Sequence, residues 1–88
     1  MQFVKGMIVR SKKGHDKGRF YAVLALCGDC AALVNAQNRT REHPKMKKLL
    51  HLAPAKTVLT QEQLDSDSEI RQILAAFSER AALPKEVI

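Results

Sequence analysis

Two glycines, Gly14 and Gly18, bracket His15, Asp16 and Lys17, and Lys12, Lys13 and Arg19 stand on either side of them. Glycine tolerates positive φ and close backbone approach, so a bend of this kind turns backbone N–H groups toward the surface. With four cations around it the bend offers amides and positive charge together, the combination that grips phosphate. A second basic run, Arg39, Arg41, Lys45, Lys47 and Lys48, lies in the polar stretch Gln37 to Lys48. Folded beside the first, it would complete a strip able to follow a sugar–phosphate backbone. Binding there would weaken steeply with salt, because each neutralised phosphate releases condensed counterions.

Other chemistry has less to stand on. Cys27 and Cys30 have CxxC spacing, but zinc needs four ligands, and His43 and His51, with seven residues between them, are not at finger spacing. A dithiol redox centre opens a helix, whereas these cysteines flank a turn. No nucleophile–base pair and no phosphate-binding P-loop is present, so an enzyme, a metal and a cofactor are not expected. Base stacking has few candidates, since Phe3, Phe20 and Phe77 read as core. Tyr21 is left, either to stack on a base or to cap the core with its hydroxyl in water. Of the histidines, His15 is the preferred phosphate contact.

Charge is placed unevenly. Residues 1–56 hold twelve Lys or Arg against Asp16, Asp29 and Glu42, a net +9, while residues 57–88 hold three against six acids, a net −3. Eighty-eight residues allow one core, and 45% apolar content is enough to build it. Met1 to Arg10 lacks the apolar segment of a signal peptide, and no run approaches the roughly 20 apolar residues that span a bilayer. A cytoplasmic protein with no membrane partner is expected.

Strand character appears at residues 7–12, 20–27 and 31–35, with Gly28-Asp29 as a tight hairpin between the last two. A short edge strand is expected at residues 39–43, another at Leu49 to Leu52 ended by Pro54, and a strand or 3₁₀ turn at Lys56 to Leu59. Ser66 and Glu69 have the spacing of a capping box, and Ile70, Ile73, Leu74, Phe77 and Ala81 form one apolar stripe of a helix that Pro84 stops. The fold class is thus mainly β: a small barrel of about five strands over residues 1–60, then an amphipathic helix and tail over 61–88.

Residues 6–26, GMIVRSKKGHDKGRFYAVLAL, carry a spacing that resembles the KOW motif: Gly6, then Val9, Gly14, the Lys17-Gly18 pair, and Val23 and Leu26 on the returning strand. Ser11 and Tyr21 depart from it, standing where many such motifs have an apolar residue and a third glycine. The resemblance covers about residues 4–59 and is similar to the archaeal and eukaryotic large-subunit ribosomal proteins numbered fourteen and twenty-seven, and to short bacterial KOW-domain RNA-binding proteins. It implies an SH3-like barrel that binds RNA, in particular large-subunit ribosomal RNA, within the translation machinery and beside ribosomal proteins; separately, a monomer is expected in preference to a dimer. The expected contacts are Lys12, Lys13, Gly14, His15, Lys17, Gly18, Arg19, Arg39, Arg41, Lys45, Lys47 and Lys48. The alternative is a protein-interaction adapter that uses the barrel and the helix over Ser66 to Ala82.

Overall fold

The computed structural model describes residues 2–82, with side chains as far as Arg80. Five strands, β1 (Met7–Ser11), β2 (Phe20–Cys27), β3 (Cys30–Val34), β4 (Lys45–Lys48) and β5 (Leu52–Val58), form one antiparallel sheet in the order β4-β3-β2-β1-β5. Helices α1 (Gln61–Leu64) and α2 (Asp67–Ala82) follow. The mainly β architecture and the helix after it are as expected. Among the described residues no helix is long and apolar enough to cross a membrane.

Strand β2 reads as an apolar run, FYAVLALC, that does not alternate: Tyr21, Ala22 and Val23 are buried in succession because both sides of the sheet are covered there, while Ala25, Leu26 and Cys27 are exposed toward the hairpin. Tyr21 and Val23 enter one core with Val9, Ala31, Leu33 and Leu52. Ala22 enters the other with Ile8, Val34, Leu59, Leu64, Ile70 and Leu74. Helix α2 therefore shares a core with the strands. Its stripe is as the spacing predicts: Ile70 and Leu74 are buried, and Ile73 and Phe77 pack at the margin, with the Phe77 ring 5.6 Å from Phe20. Pro84 and the side chain of Ala81 lie outside the described residues.

The sheet does not close into a hydrogen-bonded barrel, since β4 and β5 are its two edges. It is nonetheless curled. Laid flat, strands about 4.8 Å apart would put β4 about 19 Å from β5. Only a 3₁₀ turn, Leu49–His51, joins them, and such a turn rises about 2 Å per residue. The two edges must therefore swing toward each other around the core of Val9, Tyr21 and Leu52.

Several sequence expectations need correction. Residues 39–43 form no strand, because local side-chain bonds displace extended pairing: the Asn35 carboxamide oxygen accepts from the amides of Gln37 and Arg39, and Thr40 Oγ1 accepts from the amide of His43. Ala36 is held there at φ 61°. The edge strand lies later, at Lys45–Lys48, and Leu49 to His51 is the 3₁₀ corner. Pro54 does not end a strand; it pairs with Val9 inside β5, an edge strand where its missing N–H costs no ladder bond. At Ser66 only half of the capping box forms, with Ser66 Oγ accepting from the amide of Glu69, because the Ser66 amide donates to the Gln63 carbonyl. The complete box lies earlier, between Thr60 and Gln63.

Gly6 shows what the first motif glycine does physically. It sits at φ 88°, its carbonyl accepts from the Leu59 amide at 2.8 Å, and a Cβ on it would lie 2.5 Å from the Leu59 oxygen. Gly18, at φ 91°, has open space around it. Gly6→Ala should therefore cost about 2–3 kcal/mol, and Gly18→Ala about 1, the backbone strain alone. Thermal unfolding of the two variants checks the difference.

Candidate nucleic-acid interface

The connection between β1 and β2 is organised around one carboxylate. Asp16 is buried, 8% exposed, within an otherwise exposed loop. Its Oδ1 accepts from Ser11 Oγ at 2.8 Å and from Lys47 Nζ at 2.9 Å, and its Oδ2 accepts from the Tyr21 hydroxyl at 3.0 Å. Lys45 Nζ lies 3.7 Å away. Burial alone would raise the carboxyl pKa. Hydrogen bonds from Lys47, Ser11 and Tyr21, with the charge of Lys45, outweigh it and hold Asp16 well below the ordinary carboxylate range.

Backbone bonds complete the loop. The Gly18 amide donates to Ser11 O, the Arg19 amide to Asp16 O and the Lys17 amide to Gly14 O, while Gly14 and Gly18 both take positive φ. Among the described residues no hydrogen bond engages the amides of Lys13, Gly14 or His15, so the tip presents donors as well as cations. The loop is fixed from below and open above.

The structure brings the two basic runs together. Lys47 Nζ donates to Lys13 O at 2.7 Å, and the Lys12 amide donates to His51 O at 2.9 Å. His51 records the resulting field: partial burial, then the charges of Lys13, Lys47, Lys48 and Lys12, depress its pKa. Lys12, Lys13, Lys17, Arg19 and Lys48 are exposed, and none of them, nor half-buried Arg39, forms an ion pair with a described residue.

No family model and no curated protein matches this chain.

The remaining expected contacts are placed otherwise. Lys45 and Lys47 face Asp16, their side chains 27% and 12% exposed, and they brace the loop from β4. Arg41 is drawn to the α1–α2 junction, where it donates to Leu64 O and lies 3.6 Å from Asp67 and 3.9 Å from Asp65. Exposed pairs of this kind are worth about 0–1 kcal/mol. His15 is exposed at the loop tip. Cys27 and Cys30 are opposite each other at the end of the β2–β3 hairpin, both as free thiols, and the hydrogen bond to Asp29 pushes the Cys30 thiol pKa up, away from a reactive thiolate.

Tyr21 is neither a stacking platform nor a cap with its hydroxyl in water. It is 3% exposed, and its hydroxyl serves Asp16. Burial, then the hydrogen bond and charge of Asp16, push its pKa up to about 12, with Arg19 and Arg39 opposing. The signal for this arrangement is in the sequence: Asp16 is the one acid in residues 1–28, inside the most basic loop. Because Tyr21 is the sole tyrosine and the chain has no tryptophan, its phenolate absorption can be followed cleanly. It should titrate near 12 and not near the ordinary 10. Its folded value lies above the unfolded one, so its contribution to stability is complete below about pH 10 and is lost as pH rises toward 12.

Proposed function

We propose that this chain is an RNA-binding module without catalytic chemistry, and that the curled sheet is an SH3-like barrel of the KOW type, open between β4 and β5. The observation that carries the reading is the convergence of unpaired cations from the β1–β2 loop and the β4 corner on one preorganised, amide-bearing bend. Phosphate meets charge and N–H donors there together. Lys12, Lys13, Lys17, Arg19, Arg39 and Lys48 are the phosphate contacts, with His15 and the amides at Gly14 beside them. Lys45, Lys47 and Gly18 hold the bend in shape. The KOW-like spacing points to ribosomal RNA of the large subunit as the target, in the cytoplasm.

The adapter reading is less favoured on the helix side, because α2 packs its apolar stripe against the sheet. Co-sedimentation of the purified protein with ribosomal particles tests the proposal. Six contacts at about 0.7 each give a log–log salt slope of about −4. Association that ignores salt, or none at low salt, would contradict it.

A further inference from the structure

Beside the basic bend the structure holds a cleft of about 380 Å³ between the sheet and α2. Arg19 lines it from the end of the bend and Arg71 from α2, with Gln37 and Ser78 as further polar groups and Phe20 and Leu74 as apolar ones. Among the described residues no carboxylate lines it, so the charge they give it is that of two guanidinium groups. Arg71 is oriented: its Nη1 donates to Ala36 O at 3.0 Å, in the kink that the Asn35 side chain holds. Its other N–H groups stay available, since a guanidinium has five. No hydrogen bond to a described residue engages the side chains of Arg19, Gln37 or Ser78.

Two guanidinium groups suit a phosphate, and an aromatic face beside uncommitted amide and hydroxyl groups suits a planar heterocycle with hydrogen-bonding edges. The volume lies near the lower end of the roughly 300–1,000 Å³ typical of small-ligand sites, which admits one nucleotide unit and excludes a duplex. Arg19 belongs to both the bend and the cleft, so a strand lying on the bend passes the mouth of the cleft.

Resting on the RNA-binding reading above, we infer that the cleft receives one unpaired nucleotide of the bound RNA, its phosphate between Arg19 and Arg71 and its base against Phe20. The bend then supplies affinity for any RNA backbone, and the cleft selects strands with a bulged or looped-out nucleotide. The same chemistry would admit a free nucleoside monophosphate, so the test separates the two sources.

Two hairpin RNAs, identical except that one carries a single bulged nucleotide, are titrated by fluorescence anisotropy against the full chain and against Arg71→Gln and Gln37→Ala. The full chain should prefer the bulged RNA about tenfold, in keeping with the stacking of one base. Both variants should lose that preference and keep their affinity for the paired hairpin within about twofold. Gln37→Ala guards against a fold defect in Arg71→Gln, as the Gln37 side chain bonds to no described residue. Millimolar adenosine monophosphate should abolish the preference and leave paired-hairpin binding in place. Equal affinity for the two hairpins, with salt-dependent binding retained, overturns the cleft assignment alone. So does a variant that weakens both RNAs equally, or tight monophosphate binding without a bulge preference. Failure to bind either hairpin overturns the RNA-binding reading as well.

Discussion

Asp16→Asn should destabilise the protein by about 2–3 kcal/mol and remove much of its sensitivity to acid. The carboxylate takes two hydroxyl donors and one ammonium directly, with a second ammonium nearby. An asparagine can still accept on Oδ1, but its Nδ2 faces the Tyr21 hydroxyl as a donor, and Lys45 and Lys47 lose their counter-charge. Removing one partner of a fully buried pair costs about 3–5 kcal/mol. The two ammonium groups sit at the rim and can regain water, which lowers the figure. The pH dependence has a fixed sign. The folded-state pKa of Asp16 lies below the unfolded value of about 3.9, so its contribution is complete above about pH 4 and is lost as pH falls through the folded value. Denaturant unfolding from pH 6 downward should show the wild type losing stability across the acid range. The gap to Asp16→Asn should narrow as it does. A constant gap between the two would mean that the carboxylate is not the group that titrates.

Replacing Lys12, Lys13 and Lys17 together with Gln should weaken RNA binding roughly 30–100-fold near physiological salt. Three lost contacts reduce the log–log salt slope by about 2–3, and counterion release at that ionic strength is worth about 0.8 kcal/mol per contact. The fold should be intact, because all three side chains are exposed and none forms an ion pair with a described residue. The loss should be similar for unrelated RNA sequences, since phosphate contacts carry no base information. Arg41→Gln, whose partners lie at the α1–α2 junction, should change affinity less than threefold by the same filter-binding measurement.

Much of the fold was legible because it follows local rules. Strand β2 occupies residues 20–27 as its composition predicts, the Gly28-Asp29 hairpin follows it, and the stripe from Ile70 to Phe77 faces the sheet. What was not legible depends on contacts distant in sequence. Strand alternation separates Lys47 from Lys48, but no local pattern tells which of them reaches Lys13 and Asp16, as Lys47 does across 34 and 31 positions, and which stays in solvent. Both are lysines in one basic run, and the pleat alone sends alternate residues to opposite faces. Arg41 is diverted by acids more than twenty residues later. The turn at Asn35 and Ala36, which displaces the expected strand at 39–43, arises from a side chain satisfying backbone amides, a competition that apolar periodicity does not register. Barrel closure failed for a geometric reason: the 3₁₀ corner brings β4 and β5 near each other without a ladder between them.

Ultraviolet crosslinking of the protein to RNA in cells, with the crosslinked residues mapped by mass spectrometry and the attached RNA sequenced, bears most directly on the claim that this corner grips a phosphate chain. Adducts should concentrate within residues 12–19, 37–39 and 48–51, on large-subunit ribosomal RNA. Adducts confined to the α1–α2 segment, or no RNA recovered above background, would contradict it.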